Sequence, residues 1–452
     1  MITLDGERLA TVAGAEILVG GAAGGPSRAE IDSRRVGEGD LFVGLQGENA
    51  DGGQFGRAAV EAGAWGVIVA TQRGRELAGS LEGMGREAWV FGAADPLAAL
   101  QSLARHWRAQ IGSRVVGITG STGKTSVKDV CKAIFPARVH ASPENYNTEI
   151  GLPLAVLGAP EDTEVLVLEM GMRGPGQIAE LCAIAAPDVG VITNIGPVHV
   201  ELLGSVEAIA ATKAEIIQGL REGGTGIVPA ESGALEPHLD GAPRLLRFGA
   251  GGDVEATEVI TAMGETDAVV ATPAGEGVFK FPFVEAHNLD NALAAIAAGV
   301  ALEMPLEEMA ARAPGIVFSR LRGELVELPG NAILINDSYN ANPISMRAAL
   351  DHLASVEATG RRLAVLGEMR ELGPDAAAYH RDVGRHARDR GVELVIGVGE
   401  LGGEYEPDQH VADAEAAADA LADALGPGDA VLVKGSRSVG LERVAEKLGE
   451  SP

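Results

Sequence analysis

Seven consecutive residues, Gly120-Ser121-Thr122-Gly123-Lys124-Thr125-Ser126, are of the types that hold phosphate. Glycines let backbone amides approach an anion, a lysine supplies a point charge, and a threonine hydroxyl can ligate Mg²⁺. The spacing is short, because the usual loop has four residues between its first glycine and the Gly-Lys pair. Counting back from Gly123-Lys124 falls on Ile118, with glycines at Gly117 and Gly120 instead. Two readings follow, a shortened nucleotide loop or a plain Gly/Ser/Thr turn. A β-branched strand, "VVGITG", leads in, and an amphipathic helix, "KTSVKDVCKAIF", leads out. The glycines therefore lie at a strand-to-helix turn, where free amides and the helix dipole favour anions. Gly-Lys-Thr falling at the helix start favours the nucleotide loop.

A nucleotide loop needs an acidic metal partner on a neighbouring strand. "EVLVLEMGM" offers Glu169 at the end of four apolar residues, where the alternative is a solvated carboxylate. "PDVGVITNIGPVHVELLGS" predicts a strand from Val189 to Thr193 and a loop with Asn194 and His199. His199 is either a surface histidine or a second metal ligand at the same sheet edge. "SVEAIAATKAEIIQGL" predicts a helix capped by Ser205, with Ile209, Lys213, Ile216 and Leu220 on one face. Lys213 there either snorkels to water or is desolvated and loses its proton. A neutral amine could add CO₂ and become a carbamate, an anionic oxygen ligand beside a metal.

Positioning these groups takes a layered α/β frame. Short apolar strands alternate with Ala-rich amphipathic stretches, the pattern of parallel sheets. The 452 residues suffice for about three domains of ordinary size. The predicted blocks are residues 1–110, 111–318 and 319–452. The first closes on "DPLAALQSLARHWRAQ", and the second ends near "ARAPGIVFSR". The third strings together "AILIND", "RRLAVLGE", "VELVIGVG" and "DAVLVKG", as in a Rossmann-like sheet.

Composition narrows the partners. Aromatics at 4% argue against base-stacking platforms, and a net charge of −28 repels polyanions and acidic membranes. No nucleic-acid partner is expected, and an anionic ligand must be caught locally. Lysines stand only at 124, 128, 132, 213, 280, 434 and 447, which makes each a clue. Cys131 and Cys182 fall inside predicted helices without metal-ligand spacing and read as free thiols of a reducing cytosol. "MITLDGERLATVAG" lacks an apolar core of signal-peptide length, and no run approaches the ~18 to 20 apolar residues of a membrane span. The expectation is a cytoplasmic monomer without membrane insertion.

Taken together, these residues resemble the Mur ligases of peptidoglycan synthesis, whose nucleotide loop has this same shortened form. The resemblance covers all three blocks, through "NYNTEIGLPLAVL", "LEMGM", "TNIGPVHVELLGS", "TKAEI" and "AHNLDNALAA". It implies a small α/β domain for a uridine nucleotide, a central P-loop-type parallel sheet for ATP, and a C-terminal Rossmann-like domain. Glu169, His199 and Thr125 would serve two Mg²⁺, with carbamylated Lys213 as a further ligand, and Asn288 and Asn291 would contact adenine. Asn147 and Thr148 would lie by substrate. "INDSYNANPISMRAAL" and "AVLGEMRELG" resemble the members that add D-alanyl-D-alanine to UDP-muramoyl-tripeptide. Asp337 would then face the ATP ribose, with Tyr339, Asn340 and Asn342 by the dipeptide. "RGELVEL" matches the region of an ATP-contacting arginine, Arg322 by register, with Arg320 kept open. Lys434, Ser436 and Arg437, in "VLVKGSRSVGLERV", hold a carboxylate or merely start a helix. "DSRRVGEGDLFVGL" places Ser33 and Arg34 at the uridine nucleotide. Two positions depart from the pattern: the usual Asp-Gly-His is "DGGQF" here, and the usual glycine before His-Asn is Ala286. Rival readings are another Mur-type ligase adding one amino acid, a folylpolyglutamate-type synthetase, or a P-loop regulator that only hydrolyses nucleotide.

Overall fold

The computed structural model describes residues 4–47, 50–81, 87–143, 145–198, 200–240, 242–262 and 264–449. Among these residues the strands form four sheets. The first contains β1 (Glu16–Val19), β2 (Ala29–Glu30), β3 (Leu41–Val43), β4 (Gly66–Ala70) and β5 (Trp89–Ala93), in the order β1-β5-β4-β3-β2. All of its pairings are parallel except β1 with β5. The helix Pro96–Ile111 carries the chain onward. Asp95 caps the Leu97 and Ala98 amides, Pro96 opens the first turn, and left-handed Gly112 (φ 66°) ends it.

The central sheet holds β6 (Arg114–Thr119), β7 (Val139–Ala141), β8 (Val165–Glu169), β9 (Val189–Ile192), β10 (Thr225–Pro229) and β11 (Leu245–Phe248), all parallel. Its order is β11-β10-β9-β6-β8-β7. The chain builds β7 and β8 on one side of β6, then crosses to lay β9 on the other. That switch opens a crevice over the carboxyl end of β6, where ligands of open α/β sheets bind. The strands are apolar on both faces because both are covered. Val115 packs with the helices Pro96–Ile111 and Gly151–Leu157, whereas Val116 and Ile118 pack with Lys124–Ile134 and Ala286–Ala301.

An antiparallel meander interrupts the expected strand–helix alternation: β12 (Glu255–Ala262), β13 (Glu265–Thr272) and β14 (Gly275–Phe281). Thr266, Ala268 and Val270 alternate inward, Phe279 and Phe281 are buried and stacked at 5.6 Å, and Ile260 and Val278 face water. One buried face is characteristic of an antiparallel ribbon. The fourth sheet has β15 (Glu324–Leu328), β16 (Ala332–Asn336), β17 (Arg362–Gly367), β18 (Leu394–Val398), β19 (Gln409–Val411) and β20 (Ala430–Lys434). Its order is β15-β16-β20-β17-β18-β19, parallel apart from the β15–β16 hairpin. The α/β class with parallel central and C-terminal sheets agrees with the sequence expectation. No helix among the described residues is long and apolar enough to cross a membrane.

Trp107 ties the first connecting helix to the central sheet's cover. It is fully buried, and its indole donates to the Ala159 carbonyl at 3.0 Å. Trp107→Ala should cost ~3–5 kcal/mol in denaturant unfolding, from the lost ring and the cavity it leaves. A loss below ~1 kcal/mol would mean that the site collapses around the gap.

Candidate active site

The phosphate loop crosses from β6 to the helix Lys124–Ile134 with two glycines in left-handed or extended positive-φ conformations, Gly120 (φ 150°) and Gly123 (φ 79°). A side chain at either would also collide, a Cβ at Gly120 lying 1.8 Å from Thr193 Oγ1 and one at Gly123 lying 2.4 Å from Asn291 Oδ1. The turn is braced from the loop after β9. Asn194 Oδ1 accepts from the Thr122 amide at 2.9 Å, its Nδ2 donates to Thr122 Oγ1, and Thr193 Oγ1 donates to the Thr122 carbonyl. Lys124 Nζ folds back to the Gly120 carbonyl at 2.7 Å. Burial lowers its pKa to about 8, Glu169 opposing the fall and Arg322 adding to it.

Glu169 ends β8 beside the loop, and Thr125 Oγ1 donates to its Oε2 at 3.1 Å. Its other oxygen, Oε1, is buried without a hydrogen-bond partner, with Lys128 Nζ 3.5 Å away. A hydroxyl and an under-bonded carboxylate are hard oxygen donors of the kind Mg²⁺ prefers. No cluster of three His, Cys, Asp or Glu side chains able to hold a metal occurs among the described residues. The donor set therefore fits a magnesium that takes its remaining oxygens from phosphates and water. His199 lies outside the described residues.

Lys213 sits as the sequence predicts, on the helix Val206–Gln218, whose cap Ser205 accepts from the Ala208 amide at 3.2 Å. Ile209, Lys213 and Ile216 are buried on its inner face. Lys213 is 2% exposed, so it does not snorkel to bulk water, and it lines the same cavity as the phosphate loop. Burial, reinforced by the neighbouring Lys124 charge, drives its pKa well below 10.5. Such an environment favours the neutral amine over the ammonium.

A cavity of about 1100 Å³ joins these groups to the fourth sheet. The residues of the phosphate loop from Ser121 to Ser126 line it, with Asn147, Thr148, Glu169 and Lys213. The opposite wall carries Arg322, Asp337, Tyr339, Asn340, Asn342 and Lys434. Arg322 Nη2 donates to Thr125 Oγ1 at 2.8 Å, and its guanidinium lies 4.1 Å over the Tyr339 ring. Arg320 is exposed, whereas Arg322 lies at the phosphate loop. Lys434 Nζ holds Asp337 Oδ2 at 2.7 Å and the Asn340 carbonyl at 2.9 Å, and Tyr339 Oη donates to Asn145 Oδ1. Asn288 and Asn291 start the helix Ala286–Ala301 at the cavity's side, linked Nδ2 to Oδ1 at 3.3 Å.

Four expected residues are not brought into this cavity. Ser33 and Arg34 lie in the first sheet's loops, with Arg34 87% exposed and paired to Asp32 at 2.7 Å. Ser436 accepts from the Arg370 amide at 3.0 Å, and Arg437 pairs with Glu442 at 3.2 Å on the surface. The departing "DGGQF" stretch is a short 3-10 turn capped by Asp51, which also binds Arg73 at 2.7 Å. Sequence reasoning missed Lys128, although it stands one helical turn after Lys124, and His287, although it precedes Asn288. It also missed Glu285 and His352, whose Oε1 and Nε2 approach to 3.2 Å across the cavity. His352 carries no local signal, since only the docking of the helix Pro343–Ser355 brings it there.

Residues 118–299 match the Mur ligase middle domain, and residues 321–437 match the Mur ligase, glutamate ligase domain. The UDP-N-acetylmuramoyl-tripeptide–D-alanyl-D-alanine ligase of Bacillus subtilis is 36% identical, over 93% of both chains. That of Escherichia coli is 31% identical, again over 93% of both. Among solved structures, MurF from Acinetobacter baumannii superposes with a TM-score of 0.88 at 26% identity over the whole of both chains. MurF ligase from Thermotoga maritima in complex with ADP gives 0.80 at 29% identity, over 94% of this chain and 97% of that one.

The depressed Lys124 pKa carries a pH signature. Its ammonium is charged below about 8 and neutral above. Phosphate favours the charged form, so nucleotide affinity should fall as pH rises through that value, and binding just above it should take up a proton. Calorimetry in buffers of different ionisation heat reads the uptake. A binding heat independent of buffer would count against Lys124 as the phosphate cation.

Proposed function

The chain belongs to the Mur ligase family, and on that premise we propose that it joins D-alanyl-D-alanine to UDP-N-acetylmuramoyl-tripeptide at the expense of ATP, releasing ADP and phosphate. The observation that carries this reading is the shared cavity. A loop built for a polyphosphate and the "DSYNANP" turn of another sheet face one space, so an activated acid and an incoming amine can meet there.

A carboxylate and an amine do not condense at neutral pH, because the acid lacks a leaving group. The terminal carboxylate of the tripeptide attacks the γ-phosphorus of ATP, the bond to the β-phosphate oxygen breaks, and an acyl phosphate and ADP result. The amine of the dipeptide, having lost a proton, then adds to the acyl carbon, and inorganic phosphate leaves. The loop amides and Lys124 hold the phosphates in line and offset charge that builds between nucleotide and carboxylate. Arg322, whose Nη2 donates to Thr125 Oγ1, would add positive charge to the same place from the third block. Asn288 and Asn291 would fix adenine, and Asp337, held by Lys434, the ribose. Tyr339, Asn340 and Asn342 would orient the dipeptide, Asn147 and Thr148 the acid, and Ser33 and Arg34 the uridine nucleotide. Bound at Thr125 and Glu169, with His199 at a second site, Mg²⁺ would supply charge neutralisation to the phosphates. Lys213 as a neutral amine can add CO₂ with loss of a proton, and the resulting carbamate suits cations where an ammonium would repel them. On this reading residues 1–110, 111–318 and 319–452 take uridine nucleotide, ATP and dipeptide respectively, and the chain works as a cytoplasmic monomer.

Two measurements test the assignment. With ATP, Mg²⁺ and UDP-muramoyl-tripeptide, phosphate release should require D-alanyl-D-alanine from a panel of amino acids and dipeptides. Release without any acceptor would make the protein a simple hydrolase, and preference for one amino acid or glutamate would select a different ligase. Lys124→Ala should lower the rate by a factor on the order of 10² to 10³, the usual loss of a charge-stabilising group.

For Lys213, Ala substitution should abolish ligation while leaving the fold intact, with partial recovery on adding formate or acetate. ¹³C-bicarbonate should give a carbamate resonance in the unsubstituted protein that disappears in Lys213→Ala. A fully active Lys213→Ala variant would remove the lysine from the metal site.

A further inference from the structure

Gly196, in the loop after β9, is not explained by its backbone, since its φ lies outside the positive values that favour glycine. Among the described residues, a Cβ there would meet atoms of one residue only. Ile344 Cδ1 would be 2.0 Å away and Cγ1 3.1 Å away. Ile344 belongs to the other wall of the cavity, as the second residue of the helix Pro343–Ser355. That helix starts rigidly: Asn342 accepts from the Ser345 amide at 3.0 Å, and Ser345 Oγ accepts from the Asn342 amide at 3.1 Å. Pro343 fixes the first turn as well.

On its own side, Gly196 is tied to the phosphate loop by both backbone groups. Its amide donates to Ser121 Oγ at 2.9 Å, and that hydroxyl donates to its carbonyl at 3.1 Å. The Ser121 amide in turn donates to the Asn194 carbonyl at 3.1 Å. The two walls thus meet at a bare Cα whose amide and carbonyl hold the loop that cradles phosphate. The same seam continues at Glu201, whose amide donates to the Glu371 carbonyl at 3.4 Å.

We infer that Gly196 is a positioning residue, its missing side chain forming the seat of Ile344 and setting how closely the dipeptide turn approaches the phosphate loop. The inference rests on the ligase reading above for its kinetic consequence, though not for its geometry. A methyl group at 196 would have to push Ile344 away by ~1.5 Å to reach ordinary carbon contact. Ile344 Cδ1 is the tip of a side chain, so the shift reaches the dipeptide turn only as far as the fixed helix start keeps that side chain from turning aside. Where the turn itself moves, a misplacement of reacting partners by ~1 Å costs on the order of 10²-fold in rate.

The test is a double-substitution cycle. Gly196→Ala should lower kcat/KM for D-alanyl-D-alanine by about 10²-fold, chiefly through KM for the dipeptide, while ADP affinity stays where it is. Adding Ile344→Ala removes the colliding atoms and should restore most of that loss, which a merely structural defect at 196 would not permit. A Gly196→Ala enzyme with unchanged dipeptide kinetics would overturn the inference, and so would a double variant no better than the single one. Should Gly196→Ala fail to fold, Ile344→Phe overfills the same seat from the other side and must give the same KM defect; unchanged KM there would overturn it equally. If the unsubstituted protein shows no dipeptide-dependent phosphate release, the ligase reading fails by itself. The seat is then read by hydrogen exchange of the amides at 341–347, which should quicken in Gly196→Ala and recover in the double variant; unchanged exchange would overturn the seat.

Discussion

Lysine side chains taken out of water at the carboxyl edge of one parallel sheet set the terms for everything around them. An isolated buried ammonium is too costly to persist, so each must be paired, discharged or offered to a ligand. Three lysines around one site show how this is met. Lys128 is paired, 3.3 Å from Asp129 and 3.5 Å from Glu169, with the Ser142 carbonyl as a third partner. Lys213 is disfavoured as an ammonium, by burial first and by the Lys124 charge second. Lys124 stands between, its pKa lowered to about 8 and its amine folded onto the loop it closes. Glu169 faces Lys128 and Lys124 from β8, and the guanidinium of Arg322 adds still more positive charge at Thr125. Lys124 and Arg322 thus bring positive charge to the phosphate loop, while the carboxylates of Glu285, Asp290 and Asp337 line other parts of the same cavity.

The same economy explains why the walls of the cavity come from separate sheets. The central and C-terminal sheets each own their hydrophobic cores, and the contacts between them at the cavity are mostly single polar links. Arg322 with Thr125, Ser319 with Asp129, and Tyr339 with Asn145 all join a fourth-sheet residue, or the segment leading to that sheet, to the central unit. Such links can part without disturbing either hydrophobic core. Where the link is apolar, as between Ile344 and Gly196, fit replaces charge as the criterion of closure.

How far the sequence foretold this depended on range. Local signals were strong at the strand-to-helix turn, at Ser205 as a cap, and on the inner face that holds Lys213, because hydrogen-bonding and periodicity act over a few residues. The buried strands of the C-terminal sheet were equally legible as apolar runs. The meander of β12 to β14 was not separated from the surrounding strand–helix pattern, although its alternation of Thr266, Ala268 and Val270 carried the information. Residues whose role comes from docking left no trace. Glu285 and His352 are 67 positions apart, and nothing near either announces the other. Glycine at 196 was visible, but its reason lay on a distant helix, Pro343–Ser355.

One apparent contradiction then resolves. A chain with net charge −28 should repel a triphosphate and an acidic nucleotide precursor alike. Exposed charges, however, act through water and salt, and at physiological ionic strength their influence fades within ~8 Å. Charges inside the cavity act through a medium of much lower effective dielectric, where the same separation is worth several times more. The acidic surface therefore governs solubility and discourages polyanions too large to enter, while a small anion that reaches the crevice meets Lys124, Arg322 and the free amides of the loop first. Selection by size follows from where the positive charge is buried, with no need for a basic surface.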